Sequence, residues 1–187
     1  MKKLKKKKKI ISGIIAIFIA LAGGYAVTDS STFLSEELKD KELVIELERV
    51  IDGDTIVFNE NGESKKMRLL LIDTPESSKT KTGSVQPFGK ESKEYLADYL
   101  KEKKLTLEYE PTQEHEDQHG RILAYLFADG KLVQEELVLE GLARVGYEKG
   151  QELYLADLKE AEQATKLDKK NIWSIENYVG KYGFNNK

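Results

Sequence analysis

The sequence predicts an α+β domain that is mostly β, a small antiparallel barrel of five strands with three helices packed on it. Three observations point there. Short apolar stretches of strand length dominate the first part of the domain, from residue 42 onward, and helical spacing enters only after residue 89. An Asn61-Gly62 pair sits between two such stretches, a strong short-range hairpin signal. The run Leu69-Leu70-Leu71-Ile72 is apolar on both faces, so a strand there needs cover from a barrel interior on one side and a helix on the other.

Each element follows in order. Residues 42–51 alternate partly, with Leu43, Ile45 and Leu47 on one face, and read as a first strand. Residues 54–59 form a second, joined through the Asn-Gly turn to a third over 65–73. Pro75 ends that strand and a polar loop spans 77–88. Residues 89–104 read as a helix, because Tyr95, Leu96, Tyr99 and Leu100 recur at helical spacing. A fourth strand over 105–109 is followed by a loop at 111–120 whose one apolar residue is Pro111, and a fifth strand over 121–128 runs into an Asp129-Gly130 turn. A short helix over 133–140 stops at Gly141. The last helix, 152–170, carries Leu153, Ala156, Leu158, Ala161 and Ala164 near one stripe. Residues 175–187 are expected to be a loosely attached tail.

The chain has 187 residues, no cysteine, and 30 basic against 33 acidic residues, a formal net charge of −3. That balance is uneven along the chain. Seven lysines fall within the first nine residues, which leaves 23 basic residues against 33 acidic for everything after them, a net of −10. The uncharged run over residues 10–27 follows the lysines directly, the form of an export signal whose positive end stays in the cytoplasm. Residues 1–27 are therefore expected to be a signal peptide, with Ala20/Ala22 or Gly24/Ala26 at the cleavage site, or an uncleaved membrane anchor. Residues 28–41 read as a polar tether, and the folded domain is expected over 42–174. The bulk of the protein is placed outside the cell, secreted or anchored on the outer face of the membrane. The absence of cysteine excludes disulfides, thiolate zinc sites and cysteine nucleophiles.

The chemistry concentrates in two motifs. Asp52-Gly53-Asp54-Thr55 opens the second strand, and Arg68-Leu69-Leu70-Leu71-Ile72-Asp73-Thr74-Pro75-Glu76 closes the third. Carboxylates and a backbone carbonyl near a strand end suit a hard divalent cation such as Ca²⁺. A guanidinium beside them matches a phosphate, and a further carboxylate at Glu76 can orient or deprotonate water. Counting outward from the Asn61-Gly62 turn places Asp54 opposite Leu69 and next to Arg68. Asp73 then lies roughly 13 Å further along an ideal strand, so a strong bend or bulge is needed to bring it to Asp54.

These motifs, followed by Gly120-Arg121 entering a strand and then Asn171-Ile172-Trp173, resemble the staphylococcal nuclease (thermonuclease) family in order and spacing. The resemblance runs from about Leu43 to Ser174. It implies a five-stranded oligonucleotide/oligosaccharide-binding (OB-fold) barrel with three helices and Ca²⁺-dependent hydrolysis of DNA and RNA, the 5′ P–O bond being cut and a 3′-phosphate left. Position by position, Asp54 and Asp73 match the family's metal carboxylates and Thr74 the residue that gives a backbone carbonyl. Arg68 and Arg121 match the pair that grips the phosphate, and Glu76 matches the proposed general base. His119 and Tyr147 match substrate-contacting positions. The chain departs from the pattern at Gln118-His119, where the type member has Lys-Tyr, and at Glu148 or Lys149, where a second tyrosine is missing. DNA and RNA are the expected partners, with the membrane as a further one if the first segment stays attached. A monomer is expected, and no protein partner is inferred.

Two competing readings carry less. His115-Glu116-Asp117-Gln118-His119 fits the H-E-x-x-H zinc peptidase pattern, but that chemistry needs a helix, and Pro111 and Gly120 bracket a segment without an apolar face. A non-catalytic nucleic-acid-binding module is the alternative from another class, since barrels of this type bind oligonucleotides generally. The simultaneous presence of Asp54, Arg68, Asp73, Glu76 and Arg121 favours the enzyme.

Overall fold

A computed structural model describes residues 43–79, 83–148 and 153–185. The expected signal or anchor and the tether, residues 1–41, lie outside the described residues. No described helix is long and apolar enough to cross a membrane.

Five strands close into a barrel. Strands β1 (Leu43–Asp52), β2 (Thr55–Glu60) and β3 (Glu63–Leu69) form an antiparallel meander, and β5 (Leu105–Glu108) pairs β1 on its other side. Strand β6 (Arg121–Ala128) pairs β5 antiparallel and β3 parallel, which closes the ring. Contrary to the expectation from the sequence, the barrel is not antiparallel throughout: closure between β3 and β6 makes one parallel seam. Helix α1 (Gly89–Tyr99) lies before β5, α2 (Val133–Leu139) follows the short β7 (Lys131–Leu132), and α3 (Leu155–Leu167) packs on α2. Ile56, Phe58, Met67, Leu69, Ala124 and Leu126 are at most 1% exposed and form the centre of the core with Leu96, Leu137 and Leu158 from the three helices.

The third strand is shorter than its sequence suggests. It ends at Leu69, the chain turns through Leu70 and Leu71, and a two-residue strand β4 (Ile72–Asp73) sets off in a new direction to pair with β8 (Arg144–Val145). Leu71 adopts a left-handed conformation, φ 62°, at this turn. The apolar run is buried on both sides as expected, with Ile72 fully inaccessible, but a bend rather than a longer strand uses it.

Other boundaries shift for local reasons. Helix α1 stops at Tyr99, because Glu102 takes a left-handed φ of 58° and residues 101–104 offer nothing apolar to bury. On α3 the buried positions are Leu158, Ala161 and Thr165, at spacings of three and four, whereas Ala156 and Ala164, and Leu153 in the turn before the helix, are exposed. Ala156 and Ala164 lie on the far side of the helix from Leu158. Residues 175–185 are not loose: Tyr178 is 1% exposed, its hydroxyl donates to the Pro87 carbonyl at 2.7 Å, and β9 (Val179–Gly180) pairs β10 (Gly183–Phe184) as a hairpin. One buried aromatic supplies the attachment that the polar composition of this stretch conceals.

A buried carboxylate ties the end of β5 to the start of α3. Glu110, 2% exposed, accepts from the Tyr125 hydroxyl at 2.9 Å, the Leu153 N–H at 3.0 Å and the Thr112 hydroxyl at 3.0 Å. Burial alone would raise its pKa, but the hydrogen bonds from Leu153, Tyr125 and Thr112 outweigh it and hold the carboxyl below its ordinary value of 4.5. A carboxylate with a lowered folded pKa stabilises the fold above its unfolded value, and that contribution is lost as the pH falls through the folded one. Glu110→Gln is therefore expected to melt several degrees below wild type at pH 7. Its amide NH₂ would face donors. Melting curves from pH 7 to 2.5 should show the gap between the two proteins closing on the acid side of 4.5, and a gap that widens with acid would contradict the assignment.

Candidate active site

Barrel closure and the bend after β3 together build one cleft of about 550 Å³, with Asp54, Arg68, Asp73, Glu76, His119, Arg121 and Tyr147 in its walls. The two arginines arrive from the parallel seam. Arg68 pairs in register with Leu123 and Lys66 with Arg121, so Arg68 and Arg121 are two residues apart on neighbouring strands and share the outer face. Met67 and Leu69, with the intervening parity, fill the barrel.

The hairpin count from the Asn-Gly turn holds. Thr55 is opposite Arg68, and the Leu69 N–H donates to the Asp54 carbonyl at 2.9 Å. Arg68 consequently reaches Asp54, Nη1 to Oδ2 at 2.6 Å. The bend at Leu70–Leu71 supplies what the count lacked, returning Asp73 to within 3.5 Å of Arg68 Nη2. Thr74 is 4% exposed behind the cleft wall and gives both its N–H and its hydroxyl to Asp54 Oδ2 at 3.1 Å. Thr55 donates to the other oxygen at 2.9 Å. Gly53 is required beside this cluster, since a Cβ there would come within 2.8 Å of Thr74 Oγ1 and 2.7 Å of Ser92 Cβ.

Three supporting residues carried no clear signal. Arg144, 7% exposed, sets Nε and Nη2 against Asp73 Oδ2 at 2.9 and 2.8 Å. Burial pushes Asp73 above the usual carboxylate value against the pull of Arg144 and Arg68, and Asp54 adds to the rise. The one hint of Arg144 in the sequence is a charge inside the apolar stretch Leu142-Ala143-Arg144-Val145. Gln86 clamps the backbone of Glu76 in both directions, its side-chain oxygen accepting from Glu76 N–H at 2.8 Å and its own N–H donating to the Glu76 carbonyl at 3.0 Å. Asp117 holds Arg121, accepting from Nε at 2.7 Å and Nη2 at 2.6 Å, while its second oxygen takes the backbone N–H groups of His119 and Arg121. The four-residue spacing of Asp117 and Arg121 is visible in the sequence, but here it acts across a loop and not along a helix.

The outer wall belongs to His119 and Tyr147. Tyr147 is 62% exposed, and its ring lies 5.4 Å from the Arg68 guanidinium carbon, in cation–π range. His119 is solvent-exposed beside Gln118. Glu148, one of the two positions at which the resemblance leaves a second tyrosine missing, pairs with Lys159 of α3 at 2.7 Å. Residues 115–119 form a bend, an isolated bridge from Glu116 to Ile122 and a turn rather than a helix, and His115 stacks on Tyr109 with centroids 4.2 Å apart, so the two histidines do not converge as a zinc peptidase would need. Among the described residues no group of three or more His, Cys, Asp or Glu side chains is arranged to hold a metal ion.

A closed five-stranded barrel carrying paired guanidiniums and carboxylates in one outward-facing cleft defines an OB-fold protein with a site shaped for a phosphate-bearing ligand. Comparison with known proteins gives the family. A family model described as staphylococcal nuclease homologue matches residues 66–175. Endonuclease YncB of Bacillus subtilis (strain 168) is 40% identical over 163 residues, which cover 86% of this chain and 76% of the relative. Thermonuclease of Staphylococcus hyicus is 35% identical over 170 residues, 89% of this chain and 99% of the relative. The SPbeta prophage-derived endonuclease YokF of Bacillus subtilis (strain 168) is 44% identical over 147 residues, 78% of this chain, which spans about half (49%) of that relative. The chain belongs to the staphylococcal nuclease family of enzymes.

Proposed function

We propose that this protein is an extracellular Ca²⁺-dependent nuclease that hydrolyses DNA and RNA at the 5′ P–O bond and leaves 3′-phosphates. The observation that carries the reading is the convergence of Arg68, Arg121, Glu76, Asp54 and Asp73 on one cleft. A non-catalytic binding module has no need for a water-orienting carboxylate opposite two phosphate-gripping guanidiniums. The extracellular placement rests on the lysine block and apolar run of residues 1–27.

Each side chain has a definable task. Arg68 and Arg121 offer planar forks to the non-bridging oxygens, where negative charge builds as water attacks. Both are now balanced by carboxylates, Asp54 and Asp117, so a phosphate must exchange for these partners. Glu76, backbone-clamped by Gln86, orients the attacking water and takes its proton as the new P–O bond forms. The 5′ oxygen leaves and is protonated from water. Tyr147 and His119 contact the nucleotide outside the reacting centre.

The donor set fits a hard cation. Asp54 and Asp73 are both under 10% exposed, present oxygen only, and converge on one guanidinium, Arg68, so that both carboxylates face the same centre of positive charge. Asp54, Asp73 and the Thr74 carbonyl would hold Ca²⁺. Bound there, the ion supplies a Lewis acid against the developing charge of the phosphoryl group.

Digestion of single-stranded DNA, duplex DNA and RNA with Ca²⁺ or with EGTA tests the reading directly. Cleavage is expected with Ca²⁺ and none with EGTA, single strands or frayed duplex being cut fastest. Intact polymers in every Ca²⁺ lane would end it. A second expectation concerns salt. With −10 outside the lysine block, attraction rests on a few local cations, so log(kcat/KM) for single strands should fall with log[salt] at a slope of about −2 or shallower. A slope of about −5, the signature of a broadly basic groove, would contradict this.

A further inference from the structure

Resting on the function proposed above, we infer that the C-terminal hairpin β9–β10 is a positioning element of the active site, acting on Asp73 through Arg144 and on Glu76 through Gln86. The hairpin lies beyond residue 175, where the family model ends. Its attachment is specific: Tyr178 is buried with its hydroxyl on the Pro87 carbonyl, and the Asn185 N–H closes back onto the Tyr178 carbonyl at 2.8 Å. Two arms lead from it into the cleft.

The first arm is Arg144. Two of its guanidinium nitrogens hold Asp73 Oδ2, and the third, Nη1, donates over longer distances to the carbonyls of Lys181 at 3.4 Å and Val145 at 3.5 Å. Phe184 lies against the same guanidinium, 6.0 Å from ring centroid to carbon. Gly183 runs alongside at ordinary van der Waals distance, a Cβ on it standing 3.9 Å from Asp73 Oδ2. Asp73 thus has one oxygen fixed from behind by Arg144 and the hairpin, and the other, Oδ1, directed to Arg68 in the cleft. The second arm is Gln86, whose amide nitrogen reaches the Phe184 carbonyl at 3.5 Å while its oxygen holds the Glu76 N–H. Phe184 therefore abuts both arms, through its ring on one side and its carbonyl on the other.

Hydrogen-bonded supports behind a liganding carboxylate orient it, and their loss typically weakens metal binding 10–100-fold. Phe184→Ala in the full chain removes the ring without changing any charge near Asp73. It is expected to weaken Ca²⁺ binding about tenfold, read from the Ca²⁺ dependence of the melting temperature. It should also lower kcat on a single-stranded oligonucleotide more than it raises KM. Phe184→Tyr, which keeps the ring, should restore both. Coupling through Arg144 is read by a double-mutant cycle: in an Arg144→Lys background, which lacks the fork, Phe184→Ala should change Ca²⁺ affinity less than threefold. If Phe184→Ala does not fold, Phe184→Leu carries the same comparison. Wild-type Ca²⁺ affinity and kcat in the folded Phe184 variant, or an undiminished effect in the Arg144→Lys background, would overturn the positioning role and leave the nuclease reading standing. A wild-type protein that neither binds Ca²⁺ nor cuts would overturn both.

Discussion

Arg121→Ala and Glu76→Gln are each expected to cut single-stranded DNA at least a hundredfold more slowly than wild type at saturating Ca²⁺, while melting within a few degrees of it. For Arg121, removing one preorganised charge-stabilising group from a transition state costs on the order of 3 kcal/mol, which is about two decades of rate; for Glu76, loss of a positioned general base costs about 10²–10⁴-fold. The stability side follows from what each substitution leaves behind. Arg121 is partly exposed, and without its guanidinium Asp117 still accepts the backbone N–H groups of His119 and Arg121 at 2.9 and 3.0 Å. No buried charge is stranded. Glu76→Gln keeps the shape of the side chain, and the two hydrogen bonds from Gln86 are to backbone atoms that the substitution does not touch. On the role proposed for Glu76, loss of its carboxylate should appear in kcat, whereas Arg121→Ala should lower kcat/KM through kcat and KM together if the guanidinium grips the ground-state phosphate as well. Single-turnover and steady-state measurements on one oligonucleotide distinguish the two. Activity within tenfold of wild type in either variant would remove that residue from the chemistry.

What was legible in the sequence was local, and what was hidden was long-range or conformational. The Asn61-Gly62 turn has a fixed geometry, so counting residues from it placed Asp54 opposite Leu69 and beside Arg68, where the structure has them. The same arithmetic stopped at Asp73. A left-handed Leu71 resolves the distance, and nothing in four consecutive apolar residues marks one of them for φ 62°. The parallel β3–β6 seam that brings Arg121 alongside Arg68 joins residues more than fifty apart, with no signature in either strand. Arg144 belongs to a two-residue strand too short to show a period, and its partner Asp73 is 71 positions away. Tyr178 is one of three aromatics in a polar stretch and nothing in the sequence marks it as the buried one, yet one buried ring with a satisfied hydroxyl is enough to dock the hairpin.

Gly89→Ala is the most damaging single-methyl change expected at the site, and it acts on Glu76 without touching the cleft. Gly89 begins α1, where its backbone passes so close to the chain after β4 that a Cβ would stand 2.3 Å from the Glu76 carbonyl oxygen and 2.7 Å from its carbon. Real Cβ contacts fall essentially never below 3.0 Å. Both obstructing atoms are backbone, so no rotamer change relieves the clash: either α1 moves off the barrel or the Glu76 peptide retreats by roughly 1 Å. The first option opposes burial of Ser92 and Leu96, both at 0% exposure, and the hydrogen bond from Ser92 to the Leu142 carbonyl at 2.8 Å. The second strains the Gln86 clamp, whose two bonds fix Glu76 from either side. Overpacking of this kind costs about 1–3 kcal/mol of stability, and a displacement near 1 Å of a catalytic group costs about a hundredfold in rate. The two losses part company under a simple control. At a temperature well below the melting point of the variant, where the folded fraction is complete by circular dichroism, kcat should remain about a hundredfold low, whereas a substitution at an exposed position of α1 such as Glu94→Ala should melt and cut like wild type. Near-normal kcat in folded Gly89→Ala would mean that α1 yields and that the position of Glu76 is set by the Gln86 clamp alone.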